Sequence, residues 1–245
     1  MRRIAFALML LATTAQAGGL GEMTPAERDT FRAEVRQYLL DNPEVLNEAM
    51  QAQQTKQDKG AAQADVTALT ANADAIYKDD ASWVGGNPAG NITVVEFMDY
   101  RCTYCRKAYS EVEDLVKTDG NIRFIVKEFP ILGDDSMASA KFAIAVRMLH
   151  GDTAYKTVHD ALITLRGTPD AETLGRLAKT MGLDPAPILA KMETKDVADV
   201  ISANHTLAGK LNITGTPTFV IDTKMLRGYV PEEGMKQMIS EARAG

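Results

Sequence analysis

Apolar residues recur at helical spacing soon after the N-terminus, with Phe31, Val35, Tyr38 and Leu39 on one face. Thr24-Pro25-Ala26-Glu27 is a helix start: Thr24 can cap, Pro25 suits the first helical position and Glu27 completes a capping box. Asn42-Pro43 breaks this helix and opens another, striped by Val45, Leu46, Ala49 and Met50. From Gln51 to Asp65 no large apolar residue occurs. That spacer is expected to be helical by propensity, with Gly60 its weak point. Apolar positions return at Val66, Leu69, Ala73, Ile76 and Tyr77. Either the first patch packs on the main body or it packs on another copy of the chain, and the polar spacer favours the second.

Ser82 to Asn91 holds Gly85, Gly86, Pro88 and Gly90, which predicts a loop and a domain boundary. Ile92–Phe97 then reads as a strand, Cys102 to about Lys117 as a helix and Ile122–Phe129 as a second strand. So short a strand–helix–strand unit implies a parallel pair. Ser136 to Leu211 is helical throughout, with breaks near Gly151, Gly167-Thr168-Pro169, Gly182 and Asp184-Pro185. This is too long for one crossover and predicts a helical subdomain. Thr218–Ile221 is a strand, Asp222-Thr223-Lys224 turns into a partner at Met225–Tyr229, and a last helix runs from about Pro231 to Ala244. The expected class is α/β, with a leader at 1–17, a helical extension at 18–80 and a main domain at 81–245 carrying a helical insertion at about 134–211.

The leader reading rests on Arg2-Arg3, an apolar run from Ile4 to Ala12, and the small-residue site Ala15-Gln16-Ala17. The alternative, an uncleaved anchor, suffers because the run is about half of the ~20 residues that a membrane span needs. The general secretory route is favoured, so the mature protein is expected in an exported, oxidising compartment, the periplasm. The chain has 245 residues, 45% hydrophobic and 24% charged, which excludes a disordered or polytopic membrane protein. A formal charge of −6 and a pI near 5.2 argue against nucleic-acid binding. Two cysteines and three histidines make a closed zinc site improbable, and no metal or other cofactor is expected.

Both cysteines lie in Cys102-Thr103-Tyr104-Cys105, where strand meets helix. At a helix N-terminus, free amides and the dipole favour a thiolate, which makes Cys102 the acidic nucleophile. Cys105, one turn in, can resolve the mixed disulfide. A structural disulfide here would close almost no loop. A zinc site lacks a second ligand pair, and a c-type haem motif would need His where Arg106 stands. Pro217 opens a strand. A cis Thr216-Pro217 bond would leave the Thr216 main chain free to pair with a bound peptide, whereas a trans proline at a strand start is the ordinary alternative. His150, His159 and His205 read as surface or capping residues, and the methionines as core.

These motifs resemble the thioredoxin superfamily, and within it the DsbA-like thiol–disulfide oxidoreductases with a helical insertion. The matching runs are Val94 to Cys102, Lys127-Glu128-Phe129-Pro130-Ile131-Leu132 and Thr216-Pro217, within about Ile92 to Ala244. Tyr38 to Leu46 is similar to the N-terminal region of the suppressor-of-copper-sensitivity (ScsC) group, some of whose members oligomerise there and act as disulfide isomerases. The resemblance implies that Cys102 and Cys105 are catalytic and that Glu96 exchanges a proton with Cys105. A satisfied edge-strand glutamate is the alternative for Glu96. Thr103, Tyr104, Thr216 and Pro217 would contact substrate, Asp99 would lie in a loop near the site, and Met98, Tyr100 and Tyr104 would rim it for unfolded polypeptide.

The expected function is disulfide exchange on unfolded or misoxidised exported polypeptides, as an isomerase or reductase. A membrane partner would reset the CxxC, and a homo-oligomer, dimer or trimer, would form through residues 24–50. The alternatives are a dithiol oxidase, or a copper-binding or chaperone protein, since copper(I) suits two thiolates.

Overall fold

A computed structural model describes residues 23–244, so the leader at 1–17 lies outside the described residues. The chain divides into two compact units, one up to Asp58 and one from Lys59.

In the first unit, α1 (Pro25–Asp41) starts as the sequence predicts. Thr24 Oγ1 accepts from the Glu27 amide, and the Glu27 carboxylate accepts from the Thr24 amide at 2.8 Å. Asn42 ends it, and α2 (Glu44–Ala71) follows and continues unbroken through Gly60 into the second unit. No residue of α1 is buried. Phe31, Val35, Tyr38, Leu40, Leu46 and Met50 are all exposed, Met50 by 69%.

The second unit is built on a five-stranded sheet ordered β1-β3-β2-β4-β5. Its strands are β1 (Trp83–Gly86), β2 (Ile92–Met98), β3 (Ile122–Glu128), β4 (Thr218–Ile221) and β5 (Lys224–Arg227). The β2–β3 pair is parallel, as the crossover pattern requires, and the other pairs are antiparallel. The stretch expected to be only loop therefore contains an edge strand. Gly85 hides it from a pattern reading, yet the strand needs that glycine, because a Cβ there would stand 2.0 Å from the buried Trp83 ring.

Alternation along β2 sorts two cores. Val95 and Phe97 face Leu69 of α2, Ile76 of α3 (Ala73–Tyr77) and Leu207. Val94 and Met98 face α4 (Thr103–Asp119) through Cys105, Ala108, Val112 and Leu115, and α9 (Glu232–Ala244) through Met235 and Ile239. Fully burying each such aliphatic or aromatic side chain stabilises by roughly 1.5–3 kcal/mol. Between β3 and β4 lie α5 (Asp134–Thr164), α6 (Ala171–Thr180), α7 (Pro185–Met192) and α8 (Lys195–Lys210), the expected helical insertion. Gly151 kinks α5 with φ 80°. The break at Glu193-Thr194 carries no glycine or proline and was not expected from the sequence.

Candidate active site

Strand β2 ends at Met98, and the chain bends through Asp99, Tyr100 and Arg101 before entering α4. Asp99 fixes the bend. Its buried carboxylate accepts from the amides of Arg101 (2.7 Å), Ile131 (2.8 Å) and Leu132 (3.1 Å) and from the Ser136 hydroxyl (2.8 Å). Arg106 reaches back to donate to the Tyr100 carbonyl at 2.7 Å and the Leu165 carbonyl at 2.9 Å. Arg101 donates to the Gly167 carbonyl at 2.9 Å. The insertion thus braces the bend from the side.

The bend delivers Cys102 to the N-cap of α4, where its carbonyl accepts from the Arg106 amide at 3.1 Å. Its side chain makes no capping bond and turns to the loop before β4, where Sγ–H donates to the Thr216 carbonyl at 3.2 Å. The Thr216-Pro217 bond in that loop is cis. Cys102 keeps 8% of its surface and Cys105 1%, so Cys102 is the more reachable sulfur, though itself well covered. Both are free thiols.

The Cys102 thiol is held down to about 5, chiefly by the Cys105 side chain. Thr216 and the amides of Cys105 and Tyr104 add to this, and burial opposes it. Burial pushes Cys105 far up, and the shared proton with Cys102 and the nearby Glu96 charge push it the same way. One sulfur is an anion near neutral pH and its neighbour holds its proton. That is the arrangement nucleophilic exchange and resolution require.

Glu96 sits on the central strand β2, so the edge-strand reading is wrong. It is buried. Burial first, then the charges of Glu113, Cys102 and Glu128, raise its pKa to about 8. Thr103 and Tyr104 are exposed at the start of α4, Thr216 is half-buried and Pro217 is buried. Tyr104 stacks on Tyr229 with ring centroids 6.4 Å apart, which extends the rim with a residue the sequence did not single out.

Met98 and Tyr100 are 2% and 1% exposed, so they belong to the core and not to a rim. The apolar residues beside a site need not face solvent, because alternation sends Met98 inward and a buried acid holds the Tyr100 hydroxyl. His159 is also a correction: it is buried, with Nδ1 3.0 Å from the Tyr100 hydroxyl. His205 packs against Phe129 at 4.8 Å, and His150 is exposed as expected. Sequence reasoning missed Asp99 as a buried brace, and it missed the acid, Glu128. A glutamate at the end of a strand reads as surface, so Glu128 gave no signal comparable to that of Glu96 inside its strand.

An acidic thiol at a helix N-terminus, a more deeply buried thiol one turn on and a cis-proline loop beside them are the arrangement of a thiol–disulfide oxidoreductase. The Thioredoxin family profile matches residues 78–241, and the chain belongs to that family. Residues 27–59 match a second profile, described as the copper resistance protein ScsC N-terminal domain. A thioredoxin-like oxidoreductase from Silicibacter pomeroyi is 37% identical, with a TM-score of 0.66 over 70% of this chain and 98% of that one. Proteus mirabilis ScsC in a transitional conformation is 28% identical, with a TM-score of 0.66 over 89% of this chain and 98% of that one. Disulfide bond formation protein D of Bacillus subtilis is 25% identical over 182 residues, 69% of this chain and 77% of that protein. A Salinispora arenicola Na(+)/H(+) antiporter, NhaA 1, matches over 68% of this chain, which spans only 25% of that protein's length. The enzyme is a thioredoxin-fold oxidoreductase of the ScsC and DsbA type.

Proposed function

We propose that the protein exchanges disulfides in exported polypeptides of the periplasm as a homo-oligomeric isomerase or reductase. In this reading Cys102 attacks a substrate disulfide, and Cys105 resolves the mixed disulfide after giving its proton to Glu96. Thr103, Tyr104, Thr216 and Pro217 receive the substrate chain, and a membrane redox partner keeps the pair reduced. The observation that carries the isomerase reading is the apolar stripe Phe31, Val35, Tyr38, Leu46 and Met50, which stays exposed on the helices of its own unit. A stripe of that kind marks an interface, and two subunits or more would give a clamp with several acidic thiols.

The test combines assembly and activity. Light scattering on the chain without its leader should give a dimer or trimer, and it should refold scrambled disulfides in a thiol buffer. Deleting residues 24–50 should give a monomer that still reduces simple disulfides but loses most isomerase activity. A monomeric intact chain would sink the clamp and leave oxidase or reductase activity. The match to a copper-resistance domain makes copper(I) capture by the two thiolates a second reading. Stoichiometric copper binding without turnover of scrambled substrate would favour it.

A further inference from the structure

The register of β2 on β3 places Glu96 beside Val126 and Met98 beside Glu128. The two acids therefore project from the same face of the sheet, the face that packs on α4 and Cys105, one step apart along neighbouring strands. The two positions are diagonal neighbours across the parallel β2–β3 pair. Glu128 is 4% exposed and forms no salt bridge among the described residues. One oxygen, Oε1, accepts from the Tyr155 hydroxyl at 2.6 Å and the Tyr100 hydroxyl at 2.7 Å. The other, Oε2, is buried without a partner among the described residues. Glu128 lines a cavity of ≈ 10 Å³ with Ser82, Arg147, Tyr155 and Asn204, about the space of one water.

The surrounding groups do not neutralise it. From α5 come Tyr155, His159 and Arg147. Arg147 is engaged with Asp152 at 2.7 Å and with the Asp80 and Ala81 carbonyls at 3.0 and 2.9 Å. From α8, the Asn204 amide donates to the Glu128 main-chain carbonyl and not to the carboxylate. From the bend come Tyr100 and Asp99, from β2 Glu96, and from α4 Glu113, which faces Glu96 and is paired with Lys156 at 2.9 Å. Lys127, next in sequence, points to the opposite face and binds Asp79. Two buried carboxyls on one face of the sheet, neither with a salt-bridge partner among the described residues, resist ionising together.

We propose that Glu128 is a second carboxyl of the redox centre, coupled to Glu96 so that the charge on one sets the proton affinity of the other. This rests on the reading of Glu96 as the acceptor of the Cys105 proton. Between its two titrations the pair shares one proton, and resolution proceeds from the molecules in which Glu96 is the ionised member; an ionised Glu128 holds the proton on Glu96. The Cys105 thiol passes its proton to Glu96 and its sulfur attacks Cys102. The bond from Cys102 to the substrate sulfur breaks, the Cys102–Cys105 disulfide forms, and the substrate leaves as a thiolate. The pair has then gained one proton. Glu128 touches neither sulfur in this scheme; it is a positioning residue for charge and acts through Glu96. Burial raises both acids to about 8, and at Glu96 the charge of Glu128 adds to the rise after those of Glu113 and Cys102.

The test is the stopped-flow rate at which Cys105 expels a peptide thiol from a preformed Cys102 mixed disulfide, followed across pH in the full chain. The wild type should speed up as Glu96 ionises. Glu96→Gln should abolish that step; if it leaves the wild-type profile, the reading of Glu96 is wrong and the proposal falls with it. Glu128→Gln removes the opposing charge, so the midpoint should fall by about one pH unit or more, the size expected of coupled sites. That is about a tenfold faster rate below the midpoint. Tyr155→Phe takes a donor from the Glu128 carboxylate, keeps Glu128 neutral and should move the midpoint the same way. It serves as the second variant should Glu128→Gln not fold. If Glu96→Gln flattens the profile while neither variant lowers the midpoint, the coupling is refuted and Glu96 stands alone.

Discussion

At Cys102 three sources act on one sulfur: Cys105, the first amides of α4, and Thr216 from a distant loop. Alkylation of the reduced protein across pH should modify Cys102 first, with a midpoint near 5 against ~8.5 for a free thiol. Thr216→Val should raise that midpoint, because the loop's polar side chain is lost. Modification of Cys105 ahead of Cys102 would reverse the roles. The sequence displayed Cys102, Cys105, Thr216 and Pro217 openly, since spacing and strand context define them. Glu96 showed as a lone acid in an apolar strand. Asp99, Glu128 and His159 did not show, because a polar residue reads as surface until the chain is folded and its partners, 27 to 59 positions away, come into view.

Among the elements, β2, α4, β3 and the β4–β5 hairpin follow from period and turn chemistry, and the capping box placed α1 to the residue. The edge strand β1 did not follow, because Gly85 and Gly86 read as a loop. What makes it a strand is tertiary: Trp83 stacks on Tyr155 at 5.7 Å and meets Phe124 edge-on at 6.3 Å, and Gly85 leaves room for that ring. Gly85→Ala should therefore displace the ring and lower stability by about 1–3 kcal/mol, the usual cost of overpacking. Gly60→Ala should do the reverse by up to about 1 kcal/mol, since Gly60 is exposed in mid-helix and a Cβ there meets nothing within 4 Å. Urea unfolding of both variants checks the pair, and equal effects would contradict the assignment of β1.

For the molecule as a whole, the buried acids set a pH dependence whose sign can be worked out. Glu128 is raised from 4.5 to about 8, so between those values the folded chain holds a proton that the unfolded chain has released. Its contribution to stability is present below 4.5 and is lost as pH rises through 8. His159, lowered from 6.5 to about 4 by burial, acts in the opposite sense at lower pH. The melting temperature of Glu128→Gln relative to wild type should therefore climb as pH increases from 4.5 to 8; a flat difference would mean that Glu128 titrates as it does in the unfolded chain. The site itself joins parts of the chain made far apart. Cys102 and Thr216 are separated by 114 positions, with the whole helical insertion between them. A chain made N-terminus first presents its cysteine pair before the loop that caps it has been made. Until that loop arrives, both thiols lack the cover it gives, and synthesis of the last strands is what arms the site.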